Sequence, residues 1–306
     1  MTLLCVSIFV ESAERALRDI ADAASKGAQM VELRLDKVTN ARDVQAILGS
    51  SKIPTIATCH PDWEGEAPHV NARLDFALLD EVVDDDASYI DFDLREFKQT
   101  GDWLPRGSRP GLIVSTHDYR GRPDRLLGLL EQLNASPGDV VKLAWTARSV
   151  RDNIEAFELL QSRQKPTIAL CMGEAGLISR VLAKKFGAFL TYASLSRSDA
   201  TASGQPTVDE LQGLYRWDAI NPRTKVYGVV GAPIGHSLSP AIHNAAFEAV
   251  GVDAVYLPML VNPGYESFKA FMESFLAFEP LDLSGLSITL PHKENALRYL
   301  KEKQAQ

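Results

Sequence analysis

The sequence predicts a (β/α)₈ TIM barrel followed by a small three-layer βαβαβα lobe. The 306 residues are enough for one large domain and a smaller one. Short β-rich runs alternate with amphipathic helical patterns, and the runs are apolar at nearly every position, as expected of strands covered on both faces. Eight strands with crossover helices in roughly 200 residues is the count of this barrel. The pattern leaves a doubly wound open sheet as the alternative.

The elements of the barrel follow one another over residues 1–215. Its strand candidates are the apolar runs Leu3–Phe9, Met30–Leu35, Ile53–Cys59, Tyr89–Asp93, Gly111–Thr116, Val140–Ala144, Thr167–Cys171 and Phe189–Tyr192. Helical periodicity covers Ser12–Lys26, Ala67–Asp84, Arg122–Leu133, Val150–Arg163 and Leu177–Phe186.

A linker is predicted at residues 216–224, where Trp217, Asp218, Asn221 and Pro222 interrupt the periodicity. A second domain is then predicted over residues 225–306, because the alternation of strands and helices restarts. Its elements are Val226–Val230, Pro240–Val250, Ala254–Leu260, Tyr265–Phe275, Gly285–Thr289 and Lys293–Lys303, in the order strand, helix, strand, helix, strand, helix.

Composition and charge exclude several classes of function. Hydrophobic residues make up 45% of the chain, which argues against disorder. The net charge is −8, from 32 basic and 40 acidic residues without a basic cluster, so neither nucleic acid nor a membrane surface is expected as a partner. An anionic small-molecule substrate would therefore need an internal arginine or lysine pocket.

The cysteines and the N-terminus point to a cytoplasmic protein. Cys5, Cys59 and Cys171 are odd in number and lie in apolar strand-like runs, which is typical of reduced thiols in a reducing compartment. The first residues lack the basic start of a signal peptide, and no apolar run reaches the roughly 20 residues of a membrane span.

Lys142 is the most informative candidate for catalysis. It interrupts an apolar strand, where desolvation is expected to lower the pKa of the amine, and a neutral amine attacks carbonyls to form an imine. The alternative is a lysine at a strand tip with its ammonium in water. His117 ends the neighbouring strand and is placed to move a proton next to such an imine, although a lone histidine is commonly structural.

Further polar residues follow other strand ends, where the catalytic groups of such barrels lie. Glu32 and Arg34 share one strand face, either as substrate ligands or as a simple salt-bridge pair. Arg180, near a helix start, either binds a carboxylate through two parallel hydrogen bonds or is a plain surface arginine. Glu64 suits orientation of a histidine, and the loop around Gly204 suits a lid, although each also fits a plain surface role.

Residues 1–215 resemble the type I 3-dehydroquinate dehydratases along the whole domain. The matching segments occur in family order and at the expected strand ends. They are Glu32–Asp36, Ser115–Tyr119, Val141–Ala144, Met172–Arg180, Leu190–Ala193 and Gly204–Pro206.

The resemblance implies a Schiff-base dehydration of 3-dehydroquinate to 3-dehydroshikimate, in the shikimate pathway of aromatic amino acid biosynthesis. It implies that Lys142 forms the imine, that His117 is the general acid–base and that Glu64 orients it. It implies neither metal nor organic cofactor. The implied substrate ligands are Glu32 and Arg34 on the hydroxyl side, Arg180 on the carboxylate, and Thr201 and Gln205 in a lid.

The chain departs from the family pattern in the loop before Glu64 and in the lid. His60 stands where the family usually has an arginine, which removes a fixed charge and a rigid donor fork from the substrate side. Thr201 replaces the commoner serine and Ser203 the commoner proline. Because threonine keeps the hydroxyl and Lys142 and His117 are present, the predicted activity stays a dehydratase.

The second domain begins with a strand, a glycine-rich turn and a helix start at residues 227–240. The turn does not have the G-x-G-x-x-G spacing of a dinucleotide site, and Pro233 lacks an amide N–H. Ser237 and Ser239 suggest hydroxyl donors to a carboxylate. A helix cap by Ser239, with Pro240 at the first helical position, is the structural alternative.

This domain resembles the opening lobe of the shikimate dehydrogenases, through residues 227–247 and 285–294. The resemblance implies that Ser237, Ser239 and Thr289 bind shikimate and that Lys293 is the catalytic lysine. The nucleotide-binding lobe and the aspartate that follows Lys293 in the family have no match here, so NADP-dependent turnover is not expected from this chain alone.

Two alternative functions stay open beside the lyase. One is a shikimate dehydrogenase whose nucleotide-binding lobe is missing or supplied in trans, which would use NADP. The other treats the second domain as a shikimate-binding module only. The sequence does not decide the oligomeric state, and a homodimer remains an option.

Overall fold

The first domain is an eight-stranded barrel in which all paired strands are parallel. The computed structural model describes residues 1–36, 38, 40–59, 87–95 and 110–304. In the sheet the order is β7-β6-β5-β4-β3-β2-β1-β8. The strands are β1 (Leu3–Phe9), β2 (Met30–Arg34), β3 (Thr55–Thr58), β4 (Tyr89–Asp93), β5 (Gly111–Asp118), β6 (Val140–Thr146), β7 (Thr167–Met172) and β8 (Leu190–Ala193).

Pairing of β1 with both β2 and β8 nearly closes the barrel. Where β7 meets β8, the amide of Phe189 donates to the carbonyl of Thr167 at 2.8 Å. The predicted (β/α)₈ barrel is thus confirmed, and the open-sheet alternative is wrong. All eight strand candidates form strands, with ends shifted by at most a few residues.

The helices of the barrel agree less closely with the sequence patterns. Helix α2, which was not predicted, is capped by the Asn40 side chain accepting from the amide of Arg42. The predicted helix Ala67–Asp84 lies outside the described residues, and the one predicted to reach Phe186 ends at Val181. The described helices are α1 (Ala13–Ser25), α2 (Ala41–Ser50), α3 (Leu126–Ala135), α4 (Asp152–Gln161) and α5 (Leu177–Val181).

The segment between the two sheets is tied to the barrel rather than loose. It contains a short 3₁₀ helix, Trp217–Ala219, whose indole is buried. The ammonium of Lys184 donates to the carbonyls of Trp217 and Asp218 at 3.3 and 3.0 Å. Lys185 in turn donates to the carbonyl of Thr224 at 2.9 Å. The two lysines therefore fix this segment on the barrel surface.

The second lobe is the predicted βαβαβα unit. Its parallel sheet has the order β10-β9-β11 and rests against the barrel, where Phe278 stacks on Phe157 and the Arg151 guanidinium donates to the Ser274 hydroxyl at 3.0 Å. The elements are β9 (Lys225–Gly231), α6 (Ser239–Ala249), β10 (Ala254–Leu260), α7 (Tyr265–Ala277), β11 (Leu283–Ile288) and α8 (Lys293–Gln304).

Candidate active site

A small cavity lies among the carboxyl halves of the barrel strands, which is where parallel barrels place their chemistry. Its volume is about 40 Å³, space for only a few water molecules, because the loop after β8 covers it. Seven residues named from the sequence line this cavity together: Glu32, Arg34, His117, Lys142, Arg180, Thr201 and Gln205.

The amine of Lys142 is buried between two carboxylates. The side chain stands on β6 and the residue is 4% exposed. Its Nζ donates to Oδ2 of Asp91 at 2.6 Å and to Oε1 of Glu32 at 3.3 Å. Burial places this lysine in the cavity, so the alternative of a strand-tip lysine facing water is wrong.

The charge state of Lys142 differs from the sequence expectation. Burial acts to lower the pKa of the amine, but the carboxylates of Asp91 and Glu32 outweigh it and raise that pKa well above its ordinary value. The expected low-pKa, uncharged amine is therefore wrong for the resting protein. Desolvation was the only effect readable from an apolar strand, whereas the carboxylate partners come from β2 and β4.

His117 lies on β5 beside this pair and is 8% exposed. In the register of β5 and β6, Ser115 is opposite Lys142, so His117 lies one inward-facing position further along. Burial, together with the Lys142 ammonium, lowers the pKa of His117 to about 4. The imidazole is therefore neutral at neutral pH and is able to accept a proton.

Glu32 holds the other side of the ammonium through a buried hydrogen-bond network. Its Oε2 accepts from the hydroxyl of Ser7 at 2.8 Å, and its Oε1 accepts from the hydroxyl of Thr58 at 3.3 Å. Burial acts to raise the pKa of Glu32, but Lys142 and then Arg34 hold it below its usual range. Glu32 is thus a fixed carboxylate whose ion pair is with Lys142, so the alternative of a simple salt-bridge pair between Glu32 and Arg34 is wrong.

Arg34 faces the same cavity but pairs with a different carboxylate. Its Nε lies 3.0 Å from Oδ2 of Asp36, and its guanidinium carbon lies 5.1 Å from the centre of the Phe9 ring. The aspartate and the ring therefore fix the direction of this guanidinium.

Arg180 is a buried cation with unused donor capacity. It lies on α5 and is 2% exposed. Burial lowers its pKa to about 10, which leaves the guanidinium charged at neutral pH. Its Nε has no hydrogen-bond partner among the residues that the structure describes. A buried guanidinium of this kind is suited to an anionic group, because a carboxylate would supply the missing acceptors.

The loop after β8 closes the cavity as a lid. The side chain of Gln205 accepts from the amide of Thr201 at 2.9 Å and from its hydroxyl at 3.2 Å. The amide of Gly173 donates to the carbonyl of Ser203 at 2.8 Å. Gly204 adopts φ +70°, and a Cβ there would lie 2.2 Å from the carbonyl oxygen of Gly173. Only glycine allows this approach of the lid.

Sequence reasoning missed three groups in or beside the cavity. Asp91 makes the shortest contact to Lys142, and Ser7 anchors Glu32. Tyr192 lines the cavity, and its ring centre lies 4.7 Å from Nζ of Lys142. The available signal was the spelling Tyr89-Ile90-Asp91-Phe92-Asp93, which places two carboxylates on one face of an otherwise apolar strand. His60 and Glu64 lie outside the described residues, so their predicted roles stay predictions.

The four second-lobe candidates lie at the carboxyl edge of its sheet. Ser237 and Ser239 follow β9, and Thr289 and Lys293 follow the neighbouring β11. Helix α6 has no side-chain cap, and the Ser237 hydroxyl accepts from the amide of Ser239 at 3.3 Å. The alternative of a cap by the Ser239 side chain is therefore wrong.

The turn after β9 does not fit a dinucleotide. A Cβ at Gly231 would lie 2.6 Å from Cγ2 of Thr289 and 2.8 Å from the carbonyl oxygen of Leu290, so the side of the turn facing β11 is already filled. Pro233 offers no amide N–H to a phosphate.

Two protein families match successive parts of the chain. Residues 4–222 match the type I 3-dehydroquinase family, and residues 229–306 match the shikimate dehydrogenase substrate binding domain. Among the helices that the structure describes, none combines the length and apolar character of a membrane span.

One curated relative matches nearly the whole chain, and a second matches about two thirds of it. The bifunctional 3-dehydroquinate dehydratase/shikimate dehydrogenase of Arabidopsis thaliana is 37% identical over 98% of this chain, which spans only 50% of that protein. A 3-dehydroquinate dehydratase of Desulfotalea psychrophila is 32% identical over 69% of this chain and 96% of its own length.

Solved structures share the fold. The 3-dehydroquinate dehydratase of Geobacillus kaustophilus covers 69% of this chain and 89% of its own, at 20% identity and TM-score 0.57. The dehydroquinate dehydratase and shikimate dehydrogenase part of AroM from S. pombe covers 98% of this chain, which spans 58% of it, at 22% identity and TM-score 0.56. The chain belongs to the type I 3-dehydroquinase family, a family of hydro-lyases, and carries a shikimate dehydrogenase substrate-binding domain after the barrel.

Proposed function

We propose that the barrel dehydrates 3-dehydroquinate to 3-dehydroshikimate through an imine on Lys142. The observation that carries this proposal is the joint placement of one buried amine, one neutral imidazole and one buried guanidinium in a single covered cavity. A ketone, a proton to be removed beside it and a carboxylate are the groups that such a set recognises.

Imine formation begins from the ammonium. Asp91, at 2.6 Å, takes one proton from Nζ of Lys142, and the free amine attacks the C3 ketone carbon. The C3 oxygen leaves as water, so the two hydrogens lost from the ammonium balance those in the water. The product is a protonated imine, whose positive nitrogen stays between the carboxylates that held the ammonium.

Elimination follows at the neighbouring carbons. The neutral imidazole of His117 removes the proton at C2, and the electrons move into the iminium to give an enamine. The enamine returns these electrons and expels the C1 hydroxyl, which receives the proton from His117 and leaves as water. Hydrolysis of the remaining imine frees Lys142. Because the iminium is the electron sink, this dehydration needs neither metal nor organic cofactor.

Substrate ligands are proposed from the same geometry. Arg180 binds the carboxylate, with Thr201 and Gln205 of the lid closing over it, whereas Glu32 and Arg34 face the ring hydroxyls. As the family resemblance implies, Glu64 orients His117. His60 stands on the hydroxyl side, in place of the arginine that the family usually has. Since the cavity measures only about 40 Å³, the lid moves to admit the substrate.

The proposal is tested by incubating the purified chain with 3-dehydroquinate. The product gains a C1=C2 double bond conjugated with its carboxylate, so its ultraviolet absorbance reports the rate. We expect turnover that is abolished in Lys142→Met and retained in Lys301→Met, which removes an exposed ammonium from α8. Equal rates in the two variants would contradict the assignment.

We also propose that the second lobe binds a shikimate-class acid through Ser237, Ser239, Thr289 and Lys293. The support is their common position at one sheet edge, together with the family match of residues 229–306. Calorimetric titration with shikimate is expected to show binding that Thr289→Val weakens. NADPH-dependent reduction of 3-dehydroshikimate by this chain alone is not expected, and observing it would favour the dehydrogenase alternative.

The proposed organisation is a dehydratase domain at 1–215, a connecting segment at 216–224 and a substrate-binding lobe at 225–306. Three sequence-based predictions remain. They are a cytoplasmic location, the lack of nucleic-acid, membrane and metal partners, and a homodimer as one option.

A further inference from the structure

One buried hydroxyl in the catalytic cavity takes no part in the proposed dehydration. Tyr192 on β8 is 4% exposed and lines the cavity. Its phenol oxygen has no hydrogen-bond partner among the described residues. A buried hydroxyl without a partner destabilises the folded protein, because the hydrogen bond that it made to water is not replaced. Phenylalanine would fill the same space without this loss of stability. The hydroxyl is therefore a candidate for a functional role.

The ring of Tyr192 lies close to the reacting amine. Nζ of Lys142 lies over the ring at 4.7 Å from its centre. The backbone of β8 is also joined to the carboxylate side of the cavity, because the Thr191 hydroxyl donates to the carbonyl of Arg180 at 2.9 Å. Tyr192 lines the same cavity as the amine of Lys142 and the guanidinium of Arg180.

We propose that Tyr192 is a further catalytic residue, whose hydroxyl donates a hydrogen bond to the ketone oxygen while Lys142 attacks that carbonyl. The inference rests on the proposed function. After attack, the oxygen is two covalent bonds from Nζ, and a hydrogen bond adds about 2.7 Å, so the phenol oxygen needs to lie within about 5 Å of Nζ. The ring centre lies 4.7 Å from Nζ in the same cavity, so the attack of Lys142 on a ketone takes place beside this ring.

The electrostatics of the cavity make the phenol a donor. Burial, and then the Glu32 carboxylate, raises the pKa of Tyr192 well above its ordinary value, so the hydroxyl keeps its proton. The ketone oxygen gains negative charge as Lys142 attacks, and a donor aimed at developing charge strengthens in the transition state. The proton stays on Tyr192, and the hydrogens of the departing water remain those that the Lys142 ammonium supplied.

The test is Tyr192→Phe, which removes the hydroxyl and keeps the ring over Lys142. We expect kcat to fall about tenfold with KM changed less than twofold, because the hydrogen bond acts in the transition state. The fraction of Lys142 trapped as a reduced imine during turnover is expected to fall as well. Stability in urea is expected to equal or exceed that of the wild type, whereas a structural hydroxyl would lower it on removal.

Tyr256→Phe is the matched control. Tyr256 in β10 is 3% exposed and also carries a phenol oxygen without a partner among the described residues, but it lies in the second lobe. We expect wild-type kcat and KM from it. Wild-type kcat in Tyr192→Phe, or a rise in KM alone, would overturn the inference. A wild-type chain without turnover would instead contradict the proposed function, and the inference with it.

Discussion

The strongest test of the resting charge state is Asp91→Asn. Its Oδ2 lies 2.6 Å from Nζ of Lys142, and the Asp91 residue is only 2% exposed, so solvent screens the pair little. Removing one partner of such a buried pair costs about 3–5 kcal/mol. Glu32 remains at 3.3 Å as a second carboxylate, so the expected loss in the free energy of unfolding is at the low end, about 3 kcal/mol.

The sign of the pH dependence follows from the raised pKa of Lys142. A raised pKa means that the folded state binds the proton more tightly than the unfolded chain. The stabilisation is therefore fully present at neutral pH and is lost only as pH rises through the raised pKa, above the ordinary lysine range. Asp91→Asn lowers this pKa, so its deficit is expected to be constant from about pH 6 to 9.

The assay is urea denaturation followed by fluorescence, with Glu131→Gln as the control that removes an exposed carboxylate from α3. In a Lys142→Met background, Asp91→Asn is expected to cost less, because no ammonium is left unpaired. Turnover is expected to fall about 100-fold or more through loss of the base that takes the proton from Nζ. If Asp91→Asn is as stable as the control, the resting amine is not an ammonium held by Asp91.

Three further predictions concern the rest of the cavity. Arg180→Lys cannot form a bidentate contact, so kcat/KM is expected to fall about 10- to 100-fold, mainly through KM; an unchanged KM would place the carboxylate elsewhere. The pKa of His117 is about 4 in the folded protein against 6.5 in the unfolded chain, so the wild type loses about 3 kcal/mol of stability as pH falls through this interval, and His117→Gln is expected not to show this loss. Urea titrations in which the variant shows the same slope with pH would contradict this. Gly204→Ala displaces the lid by about 1 Å to relieve the 2.2 Å contact with Gly173, so kcat/KM is expected to fall about 100-fold, whereas Gly213→Ala, with no atom within 4 Å of the added Cβ, keeps wild-type rates.

The barrel was predictable because its strands are continuous apolar runs, and their number and order restrict the topology. Helix α2 was missed although Val44, Ile47 and Leu48 are buried at helical spacing, since a ten-residue helix gives a short pattern. Its cap, Asn40, was the local signal that should have revealed it.

The members of the site were more predictable than their charges. Lys142 is conspicuous as a cation in an apolar strand, and the segments that resemble the dehydratases identify its neighbours. The ionisation of Lys142 depends on Asp91, which is 51 residues away in the chain and reaches it only through closure of the barrel. The unpartnered hydroxyl of Tyr192 is likewise visible only in three dimensions, because sequence shows a tyrosine in a strand without its surroundings.

Reductive trapping addresses the covalent step itself. The chain is mixed with 3-dehydroquinate and sodium borohydride, digested, and mapped by mass spectrometry. The predicted result is a reduced substrate adduct confined to the peptide that contains Lys142. The adduct is expected to be absent when a carboxylic acid without a ketone replaces 3-dehydroquinate. Turnover of 3-dehydroquinate with no adduct, or with the adduct on another lysine, would contradict the account.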